Sequence, residues 1–379
     1  RMTTIKQHEA AVSSYIENMI LPSEPLMPLW NRENFIYSKP AKWNYIDACV
    51  IKAILMLYSL NGDKRLSDYA VRFTNAYISE DGTIPTMRAE DFNLDSINGG
   101  KNLLFLYRET GLERFRLAYE KLVTEQLSDQ PRLMCGNFFH KAIYPDQIWL
   151  DGAYMALPFM AEYSIISGKT EFADDAVKQL ENIRDLMRDK NTGLYYHGYD
   201  ESRKQKWADK KTGLSPQFWL RSIGWLCAGL TDICGILPSD SAGYSFCADM
   251  LAELLEALAM QTAEGGMLLQ LPARHDLGEN YPETSGTLLF AYSALRSARL
   301  GITGSAIKHA GEKAFSRVTE DFLAFDDPLP VMRNICLTAG LGGSPYRDGS
   351  AEYYLSERIA ENDAKGIAPY IMTYTEIMR

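Results

Sequence analysis

No stretch of this chain is apolar for long enough to cross a bilayer. The most hydrophobic one, CVIKAILMLYSL from Cys49, is broken by Lys52 and falls well short of the roughly 20 residues a spanning helix needs. Basic charge is scarce as well. The 39 Lys and Arg are outnumbered by 49 Asp and Glu, for a formal net charge of −10 and a sequence pI near 5.2. That balance opposes non-specific binding to nucleic acid or to anionic membrane surfaces. It does not oppose a small acidic substrate, because a few residues set the potential of a pocket. The six cysteines (Cys49, Cys135, Cys227, Cys234, Cys247, Cys336) form no C-x-x-C pair and have no histidines at ligand spacing. This excludes a zinc site and a disulfide framework and predicts mostly buried thiols. The chain opens Arg1-Met2 without a signal-like apolar region. A processed start leaves cytoplasm and periplasm both open for a soluble protein.

With 46 % hydrophobic and 23 % charged residues, the 379-residue chain has globular composition and can bury a large core. Convincing β-branched alternation is missing. Apolar residues instead recur at helical spacing, as in Ile46, Val50, Ile54, Leu57 and in Phe246, Met250, Leu254, Leu258. Helices are predicted in pairs between Gly, Pro, Asn and Asp clusters: 45–60 with 65–79, 97–110 with 112–127, 151–167 with 171–188, 217–234 with 241–262, 285–300 with 304–320, and 328–338 with 350–361. Six hairpins at roughly 40 to 70 residue spacing predict an all-α fold, an (α/α)6 barrel. The only extended pieces expected are short ones, at 193–197 and 266–270. No linker divides the chain, so 1–379 reads as one domain.

The polar residues that stand in apolar company lie mainly where first helices begin. In YPDQIWLDGAYM, Asp151 sits among Trp149, Leu150 and Tyr154. An aspartate there either caps a helix or, if desolvated, has a raised pKa suited to a general acid. Asp95, in DFNLDSINGGK, allows the same two readings. A shared pocket would leave one proton between the two carboxylates. His140 and His197 lie beside aromatic residues. The segment SPQFWLRSIGW gathers Trp219, Arg221 and Trp225, either an indole face for a sugar and a guanidinium for a carboxylate, or an amphipathic helix with core tryptophans. Trp43 and Tyr45 of KWNYIDA extend the aromatic wall, or pack in the core. The glycine-rich TAGLGGSPYRDGS lacks nucleotide-loop spacing and reads as a connecting loop.

Together, YPDQIWLDGAYMALPF, LYYHGYDES with WADKKTGLSPQFWLRSIGW, ENYPETSGTLLFAYSAL and SERIAENDAKGIAPYI resemble glycoside hydrolase family 105, the unsaturated rhamnogalacturonyl hydrolases, related to the glucuronyl hydrolases of family 88. The resemblance implies an (α/α)6 barrel acting on an acidic unsaturated oligosaccharide without metal or organic cofactor. It implies Asp151 as acid and base, Asp95 as the second pocket carboxylate, and His140, His197, Trp219, Arg221 and Trp225 as binding residues. Two positions depart from the family's pattern: Leu220 where Gly is common, and Ile223 where a small or polar residue is usual. Two other readings compete, a sugar epimerase or isomerase using the histidines as acid and base, and a carbohydrate-binding protein without catalysis.

Overall fold

The computed structural model describes residues 2–263, 265–325 and 328–379. Six inner helices stand side by side in a closed ring: Tyr45–Asn61, Gly100–Thr110, the broken helix Asp151–Met155 and Leu157–Ser167, Leu220–Cys234, Thr284–Arg299 and Ala364–Ile377. Each of the first five is followed by an outer helix that returns antiparallel to it: Lys64–Asn75, Glu113–Lys121, Glu171–Met187, Ala242–Ala259 and Ser305–Asp321. The expected (α/α)6 architecture is therefore present. No helix among the described residues is long and apolar enough to cross a membrane.

Side-chain caps set several of the inner-helix starts. Asn44 accepts from the Asp47 amide, Glu283 from the amides of Ser285 and Gly286, and Asp363 from Lys365. Once started, these helices are buried over most of their length, covered by neighbours in the ring and by the outer layer. The fourth, Leu220–Cys234, is buried along its whole length. At Gly229 it presses on the third, where an added Cβ would lie 2.7 Å from the Ala153 carbonyl, so only glycine permits that approach. Five of the six cysteines are buried and all six are free thiols.

The sixth pair differs from the expected 328–338 with 350–361. Those segments hold the short strands Val331–Met332, Ile335–Cys336 and Ile359–Ala360 and one short helix, Ala351–Ser356. Pro328 and Pro330 and the left-handed Asn334 (φ 57°) prevent a helix there. The last inner helix is Ala364–Ile377, and its outer partner is the N-terminal helix Met2–Tyr15. Gly366 and Pro369 lie inside Ala364–Ile377 and lower its intrinsic helix propensity, which hides it in the sequence. It forms because its side chains are buried from end to end.

Buried polar contacts lock this closure. Tyr15 donates to Asn362 Oδ1 (2.8 Å), and His8 Nδ1 meets the Tyr370 hydroxyl (3.1 Å). Lys365, fully buried, lies 3.1 Å from both Glu33 and Asp363. Burial works to raise the Glu33 carboxyl, but Lys365 and Lys39 pull it from 4.5 down to about 2. A depressed carboxyl contributes stability that is complete above pH 4.5 and is lost as pH falls towards 2. Replacing Lys365 with Met leaves buried Asp363 without its cation and Glu33 with Lys39 alone. The variant should lose about 3–5 kcal/mol of stability at neutral pH in urea unfolding, and its stability should fall less steeply between pH 4.5 and 2.

Candidate active site

The strand Gln147–Trp149 pairs antiparallel with Gly198–Asp200, with Trp149 opposite Gly198. The Leu150 amide then donates to the His197 carbonyl (3.0 Å), so the residues just beyond the paired strands, Asp151 and His197, face each other. His197 Nε2 lies 3.1 Å from Asp151 Oδ2, and its Nδ1 lies 2.7 Å from the Tyr354 hydroxyl. Asp151 is the first residue of its helix and makes no capping bond, so the capping alternative is set aside for it. Capping is set aside for Asp95 as well: Asn93, not Asp95, caps the short helix Leu94–Gly99. The Asp95 carboxylate instead meets Lys141 Nζ (2.8 Å) and His140 Nε2 (3.4 Å).

Both carboxylates line one cavity of about 260 Å³, together with His140, Lys141, Trp149, Trp43 and Tyr45. The Asp95 and Asp151 side chains are 12 % and 14 % exposed, whereas His197 is fully covered. His140 lies flat on Trp149 (ring centroids 4.8 Å apart), and Tyr144 stacks on the same indole at 4.5 Å. Trp43 fills the space that the missing side chain of Gly99 leaves and donates to the Ser96 carbonyl (2.8 Å).

Burial by itself would raise the Asp151 carboxyl, but the charge and hydrogen bond of His197, with His140 behind it, hold it below its ordinary value of 3.8. The raised pKa expected from its aromatic neighbours is thus reversed in the free protein. Burial pushes the His140 imidazole down to about 4 despite the nearby Asp95. Burial also opposes the Lys141 charge, yet Asp95 lifts that amine above its usual value.

Trp219, Arg221 and Trp225 lie in the layer behind the cavity wall. Trp219, 1 % exposed, packs on His197 at 4.8 Å and donates to Gln270. Arg221, also 1 % exposed, donates to the Ser285 hydroxyl (3.2 Å) and to the backbone carbonyls of Cys336 and Leu337. Its guanidinium is occupied by backbone and does not face the cavity. Trp225 stands between Tyr45 (6.5 Å) and Tyr154 (4.7 Å), in an aromatic row across the ring interior. Leu220 and Ile223 are buried too, Leu220 against Gly286 of the next inner helix, so neither side chain shapes the cavity directly.

Sequence reasoning missed three residues. Lys141 follows His140 directly, and nothing in its sequence neighbourhood marks it as the partner of Asp95. Tyr354 orients His197 from a segment assigned to an outer helix. Arg347 belongs to the glycine-rich segment read as a connecting loop, yet it lines the cavity. The guanidinium rests on Gly340, where an added Cβ would lie 2.2 Å from Nη1, and donates to Tyr144 (2.9 Å) and to the carbonyls of Gly342 and Leu341. It has no carboxylate partner among the described residues. The glycines were the available signal: they leave room for an arginine. Among the described residues no group of three or more His, Cys, Asp or Glu could hold a metal ion.

Comparison with known proteins identifies the family. The model of Glycosyl Hydrolase Family 88 matches residues 29–379. A glycoside hydrolase from family 105 of Clostridium acetobutylicum ATCC 824 superposes with a TM-score of 0.88 at 32 % identity, over 97 % of this chain and 98 % of that one. Protein Atu3128 of Agrobacterium fabrum is 39 % identical over 229 residues, 59 % of this chain and 97 % of its own length. The unsaturated rhamnogalacturonyl hydrolase YesR of Bacillus subtilis is 25 % identical over 213 residues, 54 % of this chain and 59 % of YesR. The chain is therefore a glycoside hydrolase of family 88, with a family 105 enzyme as its near full-length likeness.

Proposed function

We propose that the protein removes a 4,5-unsaturated uronic acid from the non-reducing end of lyase-generated acidic oligosaccharides by hydrating the C4=C5 enol ether. The observation that carries this reading is the pair of carboxylates on one cavity wall, each with its own basic partners: His197 for Asp151, and His140 with Lys141 for Asp95. The name of the YesR relative supports an unsaturated uronyl group as the sugar removed. Protonated Asp151 hands its hydrogen to C4, and the positive charge that develops is shared by C5 and the ring oxygen. The carboxylate so formed takes a proton from the water that adds to C5. The resulting hemiketal opens and releases the rest of the saccharide, and Asp151 is again protonated. Asp95 holds hydroxyls or water, and the steps consume only water. Trp43 and Tyr45 offer aromatic surface to the sugar, and Arg347 offers the cation that an acidic substrate needs.

The ground-state electrostatics add a condition. His197 keeps Asp151 ionised in the free protein, so the first step needs its proton restored. A uronate carboxylate entering the same dehydrated cavity opposes a second negative charge and lifts Asp151. The epimerase reading fits less well, since burial holds His140 neutral and unable to donate as a cation near pH 7.

Digests of several acidic polysaccharides by their lyases supply the test substrates, and loss of the ultraviolet absorbance of the double bond is the readout. Bleaching of at least one digest is expected; bleaching of none overturns the reading. Asp151→Asn should lower kcat by about 10²–10⁴-fold with little change in unfolding midpoint. Arg347→Met should cost about 1.5–3 kcal/mol of charge-assisted bonding, roughly 10–100-fold in kcat/KM and mostly through KM. With rising pH, kcat/KM, which reports the free enzyme, should decline before kcat does. His197→Gln should move that decline in kcat/KM upward, because Asp151 loses the partner that depresses it.

A further inference from the structure

The ring has a second cavity, and the function proposed above makes no use of it. Tyr154, fully buried one turn beyond Asp151, packs on Trp225 at 4.7 Å. The second cavity, about 240 Å³, is lined by residues further along the inner helices, among them Lys52, Glu162, Asp232 and Arg296, and by Arg379 at the chain end. Glu162 lies eleven residues beyond Asp151, about 16 Å at 1.5 Å per helical residue, so this cavity belongs to the far mouth of the ring.

Its charges do not balance. Asp232 is the acceptor for two cations, Lys52 and Arg296 (3.0 Å for the latter), and for the Tyr292 hydroxyl (2.6 Å). Glu162 is engaged by Arg108 at 3.6 Å. Lys101, only 7 % exposed, has no carboxylate partner. Its ammonium donates to the Tyr154 carbonyl (2.6 Å) and sits 3.5 Å from the Tyr154 ring centroid, which leaves two of its three hydrogens without an acceptor among the described residues. Arg296 Nε is likewise buried with no partner. Beside this cationic floor, Leu55, Met56 and Phe105 make an apolar wall.

We propose that the far cavity binds a small carboxylate with an apolar body, its carboxylate against Lys101 and its body against Leu55, Met56 and Phe105. A bound carboxylate supplies the acceptor that Lys101 lacks and offsets the crowding of three cations around Asp232. Burial first, and then the neighbouring Lys52, push the Lys101 amine well below its usual value, the condition an anion at this place relieves. Nothing in this inference depends on the chemistry assigned to Asp151.

Titration calorimetry of the full chain with benzoate tests it, with benzamide as the uncharged counterpart. One benzoate per chain is expected, and no saturable binding of benzamide. Lys101→Met should weaken benzoate at least tenfold. Ser59→Glu, at an exposed rim position where a substitution leaves the core untouched, should do the same by placing a carboxylate in the mouth. Absence of saturable benzoate binding overturns the proposal. So does an affinity that survives Ser59→Glu within twofold, since the ligand then sits elsewhere, the first cavity included.

Discussion

Every inner helix is followed or preceded by an outer helix that runs back along it, so all six inner helices must start at the same mouth of the ring. That constraint makes the segments leading into them converge. Trp43 precedes the first inner helix, Asp95 the second, Asp151 opens the third, and Trp219 precedes the fourth. Residues far apart in sequence meet because topology puts their helix starts side by side. The same mouth also receives the positive ends of six helix dipoles. A chain of net charge −10 can therefore present a locally favourable field to an acidic ligand.

Within that mouth, the chemistry depends on what each carboxylate is paired with. Asp95 and Asp151 are similarly exposed, but Asp95 faces an ammonium and an imidazole, while Asp151 faces an imidazole fixed from behind by Tyr354. Burial and pairing act in opposite directions on Asp151, and pairing wins in the empty cavity. A group balanced in this way responds to any charge brought beside it, which is what a residue that must both give and take a proton needs.

The sequence carried five of the six helix pairs because apolar residues recur at helical spacing between Gly, Pro, Asn and Asp clusters that mark their ends. It failed at the sixth, where Pro369 stands inside Ala364–Ile377 close behind Gly366 and reads as a helix breaker. The site shows a similar division. Asp95, Asp151, His140, Trp43 and Tyr45 were readable as polar or aromatic residues next to helix starts, and they do share a cavity. The sequence could not tell that Arg221 lies behind the cavity wall while Arg347, in a glycine-rich loop and also bonded to backbone carbonyls, lines the cavity. Spacing fixes where a side chain is attached, and only the packed neighbours fix where it points.

The pairing of the N-terminal helix Met2–Tyr15 with Ala364–Ile377 has a consequence for biosynthesis. Met2–Tyr15 is made long before Ala364–Ile377, and its buried face stays uncovered until that helix follows. Until then five-sixths of a ring stands open along one seam, with hydrophobic surface on both lips. The ring closes only once Ala364–Ile377 has been made, and the waiting helix is the segment that a chaperone would have most reason to hold.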